Sequence, residues 1–234
     1  MKYESKAIVL NHIKHGETSI ITKVFTREFG VQSFIVKGVR SKKSRKKINI
    51  FQPLQLILIS ANFNRKKSLQ QLNDVSLDPN SIVGITIKSQ LLCMFIAEVI
   101  IKITRTDLVE KDLFDYIWFV RKNMSTNNPL NNNFGVVFLI KLSEILGFGP
   151  LKKSISNSYF HLELGEFVDF YNKEEGMLDS FSSNILKKIL VNNAAKTTYE
   201  ERKTVLDGVI LYFKFHNYEL KNLTSHLIIE SLRE

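Results

Sequence analysis

Val31-Gln32-Ser33-Phe34-Ile35-Val36 runs without a break into Lys37-Gly38-Val39-Arg40-Ser41-Lys42-Lys43-Ser44-Arg45-Lys46-Lys47. The first six residues read as a β-strand. The next eleven hold seven cations and no carboxylate. Such a run cannot pack into a core, and its self-repulsion keeps it extended in water. Its surroundings decide whether it is a loose tail or a loop displayed by a scaffold.

Strand patterns stand on both sides. Upstream, Lys6 to Leu10 is a short apolar run, and His15-Gly16-Glu17 is a turn. Thr18 to Thr26 alternates, with Ile20, Thr22 and Val24 on one face and Ile21, Lys23 and Phe25 on the other. Arg27-Glu28-Phe29-Gly30 turns the chain, and Gly30 can supply a positive φ. Downstream, Pro53 opens a strand over Leu54 to Ser60. Residues 62–67 form a loop tip that adds Arg65, Lys66 and Lys67, and Ser68 to Leu77 is a fifth strand. Phe25, Phe34 and Phe51 alternate with strand neighbours and read as core. Five short strands in about 75 residues predict a small closed barrel, and the OB-fold is the five-stranded one that binds oligonucleotides.

Charge is segregated along the chain. Residues 1–80 hold 15 Lys+Arg against 5 Asp+Glu, a net of +10, and residues 81–234 hold 18 of each, a net of zero. The whole excess therefore sits in the first third, as a domain dedicated to a polyanion would show. A membrane reading is weak. The most apolar window, Ile82 to Ile101, contains Lys88, Gln90 and Glu98, so no membrane partner is expected. The N-terminal apolar patch is too short for a signal peptide. One cysteine, Cys93, excludes an internal disulfide framework, and a cytoplasmic setting is expected.

At Asp78-Pro79-Asn80 the period changes. Leu91, Leu92, Phe95, Ile96, Val99, Ile100 and Ile103 form a helical stripe. Asp107 with Glu110 resembles a capping box for the next helix. Asn-rich residues 127–133 can cap a third, Phe134 to Leu146, which Gly147-Phe148-Gly149-Pro150 ends. A hairpin around Gly165 would join 159–162 to 167–170. Helices follow at about 181–194, at about 199–217 with Thr198 and Glu201 as the start signal, and at Leu223 to Leu232. The fold class expected is α+β: an N-terminal OB-fold barrel in 1–80, then a mainly α-helical domain in 81–234 with a small insertion near 151–180.

No catalytic constellation is present. The histidines, His12, His15, His161, His216 and His226, never stand at i, i+4 spacing, and no Cys accompanies them. Phosphate-loop, nucleophile-elbow and zinc-protease motifs are missing. Cys93 falls on an apolar helix stripe and reads as core. No catalytic residue, cofactor or metal is expected. Two readings remain beside DNA: an OB-fold that binds RNA, and a protein adaptor whose cations take an acidic tail.

The same residues carry a resemblance. Ala7-Ile8-Val9-Leu10, Gly16-Glu17-Thr18-Ser19, Val24-Phe25-Thr26 before Gly30, Val36 to Lys42, and Phe51-Gln52-Pro53-Leu54 follow in order the N-terminal pattern of the RecO family of bacterial repair proteins. Phe134 with Lys141 to Phe148 is similar to that family's Leu-Gly-Tyr helix, and Arg202, Lys203, Tyr212, His216, Leu223 and Ser225 look like its last helices. The resemblance implies a non-enzymatic mediator of recombination. Such a protein binds single- and double-stranded DNA, anneals complementary strands and helps load RecA on strands coated by single-strand-binding protein (SSB). The partners implied are RecR, the C-terminal tail of SSB, and RecF in the same pathway, at the nucleoid. Two departures stand out. Residues 151–170 lack the Cys-rich zinc module of many members, so no zinc is carried over and that segment must fold on Tyr159, Phe160, Leu162, Phe167, Val168 and Phe170. Asn131-Asn132-Asn133 stands where the family often has cations ahead of the Phe134 helix.

The expected DNA-binding residues are Lys37, Arg40, Lys42, Lys43, Arg45, Lys46 and Lys47. Arg65, Lys66 and Lys67 join them if the two loops share one side. Phe63, flanked by asparagines, is the expected base-stacking residue.

Overall fold

The first strand does two jobs, and that closes the barrel. In this computed structural model β1 (Lys2–His15) pairs antiparallel with β4 (Leu56–Asn62) through residues 2–8 and with β2 (Ser19–Thr26) through residues 7–15. Between Val9 and Asn11 the register slips by one residue, a bulge that bends β1 from one partner to the other. β3 (Gly30–Val36) pairs antiparallel with β2 and parallel with β5 (Leu69–Leu77), which pairs back to β4. The circuit β1-β2-β3-β5-β4 is closed, the five-stranded OB arrangement expected.

Period two sets which side chains fill it. Ile20, Thr22 and Val24 are fully buried while Ile21 and Lys23 stay half-exposed. Phe34 and Phe51 lie in the barrel core with Val9, Ile57 and Ile59. Phe25 points the other way and is still buried, its ring set edge-on to Phe114, 5.3 Å between centroids. Leu54 does not open a strand. It sits in a turn at φ 60°, fully buried, and its N–H donates to the Val9 carbonyl at 2.7 Å.

The structure describes residues 1–41, 48–64, 66–79, 81, 86–105, 108–124, 131–172, 176–220, 223 and 225. Lys42 to Lys47, Arg65, Asp107, residues 127–130, His226 and almost all of the helix expected at 223–232 lie outside them. The chain divides into two compact units, Met1–Pro129 and Leu130–Glu234. The first joins the barrel to α1 (Ile87–Ile103) and α2 (Lys111–Asn123), and Arg27 forms a two-bond ion pair with Asp115 of α2 at 2.8 and 2.9 Å. The second holds α3 (Phe134–Ile145), a hairpin of β6 (Tyr159–His161) and β7 (Glu166–Val168), α4 (Ser180–Val191) and α5 (Tyr199–Phe215).

The hairpin region folds without cysteine. Phe160, Leu162 and Phe167 are buried as expected, whereas Phe170 is 54% exposed and packs no core. Phe160 also meets the Tyr212 ring at 5.3 Å, and polar bonds add to the hold. His161 Nδ1 accepts from the Glu163 and Leu164 amides, both at 3.3 Å, and the Ser183 hydroxyl accepts from the Phe160 N–H at 2.9 Å. No helix among the described residues is long and apolar enough to cross a membrane.

Candidate nucleic-acid interface

The cationic run leaves the barrel through a pinned turn. Val39 is buried in the barrel core, and the Arg40 N–H donates to the Thr18 carbonyl at 2.9 Å. Gly38 takes φ +71°, which lets the Ser41 N–H return to its carbonyl at 3.1 Å. The Arg40 guanidinium donates to the Gly16 carbonyl at 3.1 Å. Arg40 is thus partly structural, clasping the 37–41 turn to the β1–β2 turn, while Lys37 stands exposed in solvent.

The second cationic loop, 63–68, is built on amides. The Gln70 side chain accepts from the Asn64 N–H at 3.0 Å and donates to the carbonyls of Asn64 at 2.9 Å and Lys67 at 2.6 Å. The Asn64 side chain accepts from the Lys66 N–H at 2.9 Å. Lys66 and Lys67 project exposed from this frame. Among the described residues none of Lys37, Arg40, Lys66 and Lys67 pairs with a carboxylate. Their charge is therefore open to a polyanion.

Lys66 and Lys67 do not stand at the same end of β3 as Lys37 and Arg40. The parallel register Ser33↔Leu69 delivers loop 63–68 to the starting half of β3, and the run from Lys37 leaves that strand's other end. Ser33 to Lys37 is four residues, about 13 Å along a strand. That length spans roughly four phosphates of one duplex strand. Among the described cations, Lys37 and Arg40 follow one end of β3, and Lys66 and Lys67 stand by the other.

Phe63 is folded toward the barrel. Its ring lies 4.5 Å from Phe29 at 30°, and Phe29 lies 4.4 Å from Tyr3. Its backbone is held by Met1: the Phe63 N–H donates to the Met1 carbonyl at 2.8 Å, and the terminal ammonium donates to the Phe63 carbonyl at 3.0 Å. Phe63 remains half-exposed and lines a groove of about 620 Å³ with Phe29, Gln70 and Val109. The part played by Phe29 is one that the sequence hides, because there it reads as a turn residue. The available signal is an aromatic in a turn that has no need of one. Burial, and then the nearby Glu28 carboxylate, push the Tyr3 hydroxyl well above the ordinary tyrosine range, so it stays neutral.

Residues 1–79 match the family described as Recombination protein O N terminal. A protein of Azobacteroides pseudotrichonymphae named DNA repair protein RecO is similar to this chain: 29% identical over 247 residues, which cover 99% of each. The protein of that name from Flavobacterium johnsoniae is 27% identical over 218 residues, 91% of each chain. That of Bacteroides fragilis is 31% identical over 151 residues, 64% of this chain and 62% of the relative.

Proposed function

Since the chain belongs to the RecO family, we propose that it acts in DNA repair and recombination as a binding protein rather than an enzyme. On this reading it holds single- and double-stranded DNA without strong sequence preference and anneals complementary strands. It also helps load RecA on strands coated by SSB, with RecR, RecF and the C-terminal tail of SSB as partners. The observation that carries the reading is the unpaired positive charge of the first third. A net +10 is confined to residues 1–80, and the described part of it presents Lys37, Lys66 and Lys67 without carboxylate partners.

The proposed mechanism is electrostatic. Lys37, Lys42, Lys43, Arg45, Lys46 and Lys47, helped by Arg40, neutralise phosphates, and Arg65, Lys66 and Lys67 do the same. Each phosphate engaged releases counterions, so affinity falls steeply with salt. Lysines acting as point charges on phosphates read little sequence. Annealing follows from the same charges. Two strands repel, and a surface that holds both lowers the repulsion and raises their local concentration. Bases that are not read remain free to pair.

The test is annealing of complementary oligonucleotides by the full chain, with and without SSB. The expected result is acceleration of bare strands, retained when SSB covers them. Failure to accelerate annealing of bare strands at low salt would overturn the reading, and equal binding of RNA of the same sequence would move it to RNA.

A further inference from the structure

A groove opens where β3 and β5 meet. Their parallel ladder has only three partner pairs, Ser33↔Leu69, Phe34↔Gln70 and Ile35↔Gln71. The starting end of β3 therefore has no β5 neighbour, and loop 63–68 stands over the gap. The resulting cavity of about 620 Å³ lies within the 300–1,000 Å³ of small-molecule sites. Two rings line it, the half-buried Phe29 and Phe63, with centroids 4.5 Å apart, and Tyr3, 8% exposed, backs Phe29 at 4.4 Å and 58°. The Phe29–Phe63 step is tilted by only 30°. Phe63, half-exposed at the end of that pair, offers a face that one more flat ring can cover. Exposed Lys67 stands on the same lining, where a phosphate attached to that ring can reach it.

We propose that this groove takes one unpaired nucleobase of a single strand, stacked on Phe63 of the Phe29–Phe63 pair, with Lys67 on its phosphate. The proposal rests on the DNA-binding reading above and adds a preference that cations alone cannot give. A base inside a duplex has both faces covered and its edge paired, so only a single strand can fill the site. The frame is set in advance. The Gln70 bonds hold the loop, and the two Met1 bonds hold Phe63, so little ordering is left to oppose binding. The one carboxylate on the lining, Glu28, accepts a hydrogen bond from the Ser5 hydroxyl. Stacking is sequence-tolerant, because every base has a π-face, so the weak sequence readout is kept.

The experiment holds phosphate number constant. The full chain is titrated by anisotropy with an oligo-dT strand and with a strand of equal length whose central residues are abasic. The native protein should prefer the intact strand by roughly tenfold. Phe63→Leu should lose that preference and Phe63→Tyr keep it, with the salt slope unchanged in all three. Equal binding of both strands by the native protein, still falling with salt, sinks the base site and leaves the DNA reading standing. Binding of neither strand sinks both. Should Phe63→Leu fail to fold, photocrosslinking of a 5-iododeoxyuridine strand to the native chain decides: adducts on Phe63 or Phe29 are expected, and adducts only elsewhere refute the site.

Discussion

Gly30 shows how much can rest on one missing methyl group. Its φ is +64°, and a Cβ there would stand 2.0 Å from the Leu108 carbonyl oxygen, a backbone atom with little room to move. Gly30→Ala is expected to cost about 2–4 kcal/mol, from left-handed strain plus overpacking, read as a lower urea midpoint. The turn was legible from Arg27-Glu28-Phe29-Gly30. The approach of Leu108 was not, since no local pattern tells a turn what packs on it from far along the chain. Glu110 makes a similar point. Sequence spacing placed it inside a capping box with Asp107, but α2 starts just after it, and as N-cap it makes no side-chain cap bond. Burial pushes its carboxyl above the ordinary range, and its buried Oε2 finds no partner among the described residues. A carboxyl with a raised folded pKa holds its proton more tightly in the native state, so its contribution to stability falls as pH rises past the ordinary 4.5. Comparing Glu110→Gln with the native chain across that range should show the balance shifting toward the variant as pH rises. A constant gap would contradict the burial argument.

Elements whose signals are local were the most legible. Thr198 and Glu201 form the reciprocal capping box expected, and α5 begins at Tyr199. Thr198→Ala should cost about 1 kcal/mol, measured by chemical unfolding, and a neutral result would mean that packing alone fixes that helix start. Asn133 is the contrast. It precedes α3 but makes no cap bond with its side chain. Instead its amide donates to the carbonyls of Asn193 at 3.2 Å and Ala195 at 2.8 Å and accepts from Thr197, tying down the segment before α5. An asparagine ahead of a helix looks the same in either job, because the choice depends on which chain segment comes near. Strand lengths fail for the same reason. β1 was expected over 6–10 and spans Lys2–His15, since two neighbours in turn extend it. Leu54 went the other way, drawn into a buried turn by its bond to Val9.

At the scale of the whole molecule, charge was the most legible property, because net charge adds along a chain without regard to fold. A +10 confined to residues 1–80 is visible before any strand is placed. Where the cations stand is a matter of topology. Loop 63–68 is delivered to the starting half of β3 by its parallel pairing with β5, a neighbour that is not next in sequence. That register sets Lys66 and Lys67 by the starting half of β3, whereas Lys37 follows its last residue. The electrically balanced remainder, with 18 charges of each sign, carries no such excess. The account therefore stands on the cations of the run that follows β3. The measurement that tests it most directly is the salt dependence of single-strand binding by the native chain and by a variant with Lys42, Lys43, Arg45, Lys46 and Lys47 changed to Gln. With native melting preserved, the log–log slope should shrink by roughly 3.5, at about 0.7 for each phosphate that is no longer neutralised, and most affinity at moderate salt should vanish. An unchanged slope and affinity in that variant would contradict the account.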